Sequence, residues 1–258
     1  MKDIYEEMII ASRNIAASFP QPRFYIHCRE ALNISRVLYD ETPQVIQCHT
    51  FILNETKDNF GHGVDHSEKV ALEAGALAYI EGEGLSLEES LRRETCLLAH
   101  IAGLLHDIRR GEKDHAKASA FAASKYLQEL SIFPGKDEYV VRAIANHEAF
   151  IEPKQMSSPI GQLISDVLYD ADKFRWGPDS FTLTLWKMLR SSQVPIVRLI
   201  RGFPKGMEMI SRIKGTFRTK TGKTYGPEFI ELGLKIGEKI YQSLQERFAK
   251  ELQQEKME

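Results

Sequence analysis

The sequence predicts an all-α fold, and two observations carry that prediction. Apolar residues recur with helical spacing along nearly the whole chain, and the runs are closed by Gly- and Pro-containing breaks rather than by strand-like alternation. Alternating β-formers stand out in one stretch, TFRTKTGKTY (216–225), which reads as a short hairpin around Thr221 and Gly222.

The elements follow in order. The first run, IYEEMIIASRNIAASF, stops at FPQP (19–22), where two prolines cannot continue a helix. A second break falls at TP (42–43), a third at NFGHG (59–63). VALEAGALAYI then leads into EGEG (81–84), and LRRETCLLAHIAGLLHD ends on an imidazole and a carboxylate. AKASAFAASKYLQEL runs to FPG (133–135), YVVRAIANH to EP (152–153), and IGQLISDVLYDAD to WGP (176–178). FIELGLKIGEKIYQSLQERFAKEL is the last and longest pattern. No break is long or low enough in complexity to be an interdomain linker, and no repeat is present, so one helical domain over 1–258 is expected.

Composition excludes two classes outright. With 258 residues, 43% hydrophobic, and 34 basic against 36 acidic side chains, the chain can bury a sizeable core and is neither disordered nor disulfide-stapled. The start, MKDIYEEMII, has acids where a secretory leader needs bases, and the longest apolar stretch falls short of the roughly 20 residues of a membrane span. A soluble cytoplasmic protein is expected. Cys28, Cys48 and Cys96 are odd in number and widely spaced, which fits reduced thiols rather than a zinc site.

Histidine is unevenly placed: all eight lie at or before His147. Charge divides at the same point, with 16 basic and 22 acidic residues up to 147, then 18 and 14 beyond it. Apolar helices carry His and Asp at their edges: Asp65-His66, His106-Asp107, His147, and Asp170 with Asp172. Burying such groups without partners would cost several kcal/mol, about 2–7 each, and a shared divalent cation supplies the partner. His66, His106, Asp107 and Asp172 would offer two nitrogens and two oxygens, a set suited to Mn, Mg, Fe, Co or Ni with positions left for water and substrate. Asp170 competes with Asp172 for the last role. His27, His49 and His100 read as structural, and His62, between two glycines in GHGVDH, as a loop residue.

DHSEKV, then AGLLHDI, then YDADK, in that order and spacing, resemble the HD-domain metal-dependent phosphohydrolases over about residues 60–175. The resemblance implies an HD helical bundle as the core, with an N-terminal helical extension over 1–58 and a C-terminal one over 176–258. Carried over by residue, the family's first His falls on His66, its HD pair on His106 and Asp107, and its last Asp on Asp172. Some relatives bind a second metal, and His115 and His147 sit where those ligands, or phosphate contacts, would fall. An adjacent His pair found in two-metal phosphodiesterases is Asn146-His147 here, which favours one tight metal, whether Mn, Mg, Fe, Co, Ni or Zn.

The implied activity is hydrolysis of a nucleotide or other small phosphate ester by a metal-activated water, with Asp107 both binding metal and orienting the water. Lys69, Arg109, Arg110 and Lys173 are the nearest cations for catalysis or phosphate binding, and Trp176 for walling a base pocket. Eight basic residues between Arg198 and Lys223 would draw polyanions, although nucleic acid is not the favoured partner. TGKT is not a Walker motif, because its first Gly position is Phe217. Competing readings are a di-iron oxygenase of the same fold and a non-catalytic regulator. Guanosine tetraphosphate hydrolysis is disfavoured because HDIRRGEKD lacks the ED that follows the HD pair in those enzymes. Oligomeric state is left open.

Overall fold

The computed structural model describes residues 4–55, 63–130 and 135–254. In chain order its α-helices are α1 (Ile4–Ala16), α2 (Arg23–His27), α3 (Arg29–Glu41), α4 (Pro43–Glu55), α5 (Val64–Gly84), α6 (Glu89–Leu105) and α7 (His115–Leu130). They continue as α8 (Asp137–Ala145), α9 (Pro159–Phe174), α10 (Leu185–Ser192), α11 (Ile196–Ser211), α12 (Lys220–Arg247) and α13 (Ala249–Gln254). A π-helical turn, Ser180–Thr184, precedes α10, and no strand occurs among the described residues. The fold is all-α, and no described helix is long and apolar enough to cross a membrane.

Two apolar clusters organise the packing. The larger gathers α2 to α9: Val70, Ala74 and Leu77 of α5, Leu98, Ile101 and Leu105 of α6, and Ile164 and Val167 of α9 are fully or almost fully buried. Small residues let α5 and α6 close tightly, and at Gly103 the close neighbour is backbone. A Cβ there would lie 2.4 Å from Ala71 Cα. The second cluster joins both ends of the chain, packing Met8 and Ile9 of α1 against Trp186, Leu199, Phe203 and Ile240. At 28 residues α12 is about 42 Å long and serves both clusters, giving Phe229 and Ile230 to the first and Ile236 and Ile240 to the second.

The hairpin expected at 216–225 does not form. Arg212–Gly215 makes a 3₁₀ turn, and from Lys220 onward the segment is the first turn of α12. Two local bonds decide this. Thr219 Oγ1 accepts from Gly222 N at 2.8 Å, a helix N-cap, and the amides of Arg218 and Thr219, which a hairpin would need, donate to Asp170 at 2.8 Å each. Burial of Phe217 against Phe174 holds the turn down.

Candidate metal centre

Helix ends deliver the polar groups to one place. His66 lies in the first turn of α5, His106 caps the C-terminus of α6 with Asp107 next, and Asp172 lies in the last turn of α9. All four are buried. His66 Nε2 and His106 Nε2 are 3.2 Å apart, and Asp172 Oδ1 is 3.4 Å from the first and 3.8 Å from the second. Asp107 Oδ2 lies 3.4 Å from His106 Nε2 and 3.9 Å from His66 Nε2. Ligands about 2.1 Å from one ion are separated by about 3.0 to 4.2 Å, so His66, His106 and Asp172 fit a common centre, and Asp107 Oδ2 lies within that range of both histidine nitrogens.

The other oxygen of Asp107 faces a second group. Its Oδ1 is 3.4 Å from His147 Nε2 and 3.6 Å from His115 Nε2. His147 follows α8, and His115 opens α7. Tautomers are fixed from behind: His106 Nδ1 donates to Gly103 O at 2.7 Å and His147 Nδ1 to Ile144 O at 2.6 Å. Each ring therefore turns its Nε2 towards carboxylate oxygens, where a shared cation would satisfy both. His147 Nε2 is buried without a hydrogen-bond partner among the described residues.

The local electrostatics agree. Burial alone would raise the Asp172 carboxyl, but Lys173, with His66 and His106, holds it well below the usual carboxylate range. Burial pulls His115 down to about 4 despite Asp107, so its ring is neutral at pH 7, the form that binds metal. For His106 burial opposes the charged ring, and the adjacent carboxylates outweigh it and raise its pKa.

The remaining predicted residues divide. Asp170 is turned away from the histidines, its carboxylate accepting from Arg218 N, Thr219 N and Thr219 Oγ1, and burial pushes it up to about 7. Lys173 donates to Asp172 Oδ2 and Arg110 Nη1 lies 2.7 Å from His115 Nε2, so both stand at the cluster. Trp176 is close by, 5.5 Å from Lys173 Nζ to ring centre. Lys69 is paired with Asp179 at 3.1 Å, and Arg109 with Glu112 at 3.7 Å; neither borders the main cavity among the described residues. His62 lies outside the described residues. His100 packs in the core with Ser35 Oγ at 2.8 Å, His49 pairs with Glu68 at 2.6 Å, and His27 meets Tyr225 at 3.3 Å.

Sequence reasoning missed Arg175. It is 6% exposed, and its guanidinium bonds Glu73 Oε1 at 2.6 Å, Asp179 Oδ2 at 2.6 Å and Tyr25 OH at 2.7 Å. This network ties α2, α5 and the end of α9 together behind the site. One signal was present: Glu73 is the lone acid in VALEAGALAYI, and an acid buried in such a helix requires a cation.

A cavity of about 560 Å³ opens from the cluster. His66, His115, His147, Asp172, Lys173 and Arg110 line one end, and Glu148, Ala149, Phe150, Arg175 and Trp176 join the π-turn, α10 and α11 in walling the rest.

Residues 63–176, which contain every residue of the two donor groups, match the family model described as HD domain. No curated protein and no solved structure matches the chain.

Proposed function

Residues 63–176 are an HD domain, which places the chain in the HD-domain superfamily, and from that premise we propose that it is a metal-dependent phosphohydrolase acting on a small phosphate ester. The observation that carries this reading is the position of Asp107, whose two oxygens face two separate donor groups at the polar end of a large cavity. HD domains bind divalent metals, and the residues present fit one: His66, His106 and Asp172, with Asp107, would hold it, while His147 and Asp107 Oδ1, joined by His115 if Arg110 turned from its ring to a phosphoryl group, would hold a second. A divalent ion in this site supplies Lewis-acid charge and lowers the pKa of water.

The chain's own groups do the rest. Lys173 fixes Asp172, so the carboxylate keeps its orientation. Arg110, half-buried at the cavity wall, offers planar donors to a phosphoryl group. Water attacks phosphorus, the bond to the ester oxygen breaks, and the leaving oxygen takes a proton, giving inorganic phosphate and an alcohol. The α5, α6 and α9 packing excludes bulk water from the buried side of the cluster.

His106→Ala or Asp107→Ala should remove bound metal and lower kcat/KM on a hydrolysed phosphate ester by about a thousandfold or more. Elemental analysis with a phosphate-release screen in Mn²⁺, Co²⁺, Ni²⁺ and Mg²⁺ tests this. Hydrolysis that survives loss of the metal would overturn the mechanism. Two irons per chain with oxygen uptake would replace it by oxygenase chemistry.

A further inference from the structure

The cavity is chemically two-sided. Beyond the polar end its walls are Ser180, Phe181 and Thr184 from the π-turn, Leu185 and Met188 from α10, and one face of α11. That face is Leu199, Gly202, Phe203, Gly206, Met207 and Ile210, the spacing of a single helical stripe. Away from the donor groups the polar side chains that line the cavity among the described residues are Glu148, Arg175, Ser180 and Thr184, with no Asn, Gln or Tyr. Ser180 Oγ already donates to Arg175 O at 3.1 Å, and Arg175 is bound to Glu73, Tyr25 and Asp179. The edge of a nucleobase would find few side-chain partners here, and reading a base costs affinity when its polar groups go unpaired.

Two features bear on how open the apolar channel is. Gly202 and Gly206 are four residues apart, and a Cβ at either would meet no atom within 4 Å, so helix α11 leaves space where side chains would have filled the channel. At the mouth, Phe150 adopts φ 65°, a costly backbone for an aromatic residue, with Arg212 4.8 Å from its ring centre. Phe150, Met188 and Met209 remain 43–47% exposed around that opening, and flexible methionines accommodate chains of varied shape.

Resting on the phosphohydrolase reading for its polar end, we propose that the substrate is a phosphate monoester of an apolar, chain-like alcohol. The phosphate sits at the His66, His147 and Arg110 end, and the hydrocarbon runs along α11. The volume of about 560 Å³ lies well inside the range of about 300–1,000 Å³ for sites that enclose small ligands.

Binding can be measured separately from turnover with n-alkyl phosphonates, which keep the charged head and cannot lose the alkyl group by P–O cleavage. Calorimetry on the full chain supplied with Mn²⁺ should show Kd falling about threefold to fourfold per added methylene from butyl upward, and decyl phosphonate binding at least about a hundredfold tighter than AMP. Gly206→Leu, which projects into the channel and improves helix propensity, should cut the gain from butyl to decyl by at least about tenfold. Phe150→Gly, which relieves the backbone, should weaken decyl phosphonate binding without lowering the unfolding temperature. Tight chain-dependent binding supports the assignment even if decyl phosphate is not hydrolysed, an outcome that would count against the hydrolase reading alone. A Kd independent of chain length, or AMP binding as tightly as decyl phosphonate, overturns it even where butyl phosphate or AMP is turned over.

Discussion

At the scale of single residues, the placement of carboxylates and imidazoles is decided by what lies behind them. Asp170 and Asp172 are about 200° apart around α9, so only one can face the histidines. Both ended the same apolar run, and the sequence left their roles open because the deciding partners, the amides of Arg218 and Thr219, come from 48 and 49 residues downstream. His66, His106 and Asp107 were legible for the opposite reason: each is a polar group at the end of an otherwise apolar helix. His100 shows how the same residue type serves structure. It is fully buried, and since the Ser35 hydroxyl donates to Leu72 O, His100 Nε2 donates to Ser35 Oγ in turn. Burial lowers its pKa to about 3, against an ordinary value of 6.5. The folded state thus refuses a proton that the unfolded chain accepts below about pH 6.5, so stability is fully present above that pH and is lost as the pH falls towards 3. From pH 7 to 5 this residue alone should remove about 2 kcal/mol. Urea denaturation at the two pH values checks it: His100→Gln should start less stable at pH 7 but lose about 2 kcal/mol less than wild type on acidification.

At the scale of elements, the contact between α5 and α6 sets the distance between the first two candidate ligands. Helical periodicity made both helices legible, because their apolar positions repeat regardless of tertiary context. Their closeness was not legible, since it depends on Gly103 meeting Ala71 across the interface. The failed hairpin teaches the same lesson in reverse. The alternation in TFRTKTGKTY was real, but a strand needs a partner, and Asp170 and the Thr219 cap offered the backbone a nearer one. Gly103→Ala tests the helix contact directly. The new methyl would lie 2.4 Å from Ala71 Cα, so α5 and α6 must separate, at a cost of about 1–3 kcal/mol. Since His66 and His106 ride on those helices 3.2 Å apart, metal affinity should also fall by about tenfold or more, read by Co²⁺ absorption during titration. A variant destabilised by that amount with unchanged Co²⁺ affinity would show that the donor atoms are not positioned by this contact.

For the molecule as a whole, the two apolar clusters meet along the cavity, with the donor groups on one side and the wall of α10 and α11 on the other. The sequence separated a histidine-rich acidic part from a basic part, but it carried no sign that α1 would pack beside α10 and α12, because contacts between chain ends leave no local pattern. Part of the basic stretch is also turned inward: Arg218 lies 3.7 Å over the Tyr169 ring and bonds Asn146 O at 3.0 Å, so not all of that charge is available to a polyanion. The larger consequence concerns stability. Folding gathers Asp107, Asp172 and the Nε2 atoms of His66, His106 and His147 in a buried space, where a divalent ion would offset their desolvation. An ion that binds the folded chain and not the unfolded one adds about 2.7 kcal/mol at one hundred times its Kd. For a chain of this length each kcal/mol shifts Tm by about 2–4 °C, so saturating Mn²⁺ should raise Tm by about 5–10 °C and a chelator should reverse the rise. Asp172→Ala should abolish the metal-dependent part, whereas Lys69→Ala, whose ammonium is occupied by Asp179 outside the cavity lining, should retain it. Differential scanning calorimetry of the three proteins with and without Mn²⁺ decides the matter, and an equal metal response in Asp172→Ala would place the ion elsewhere.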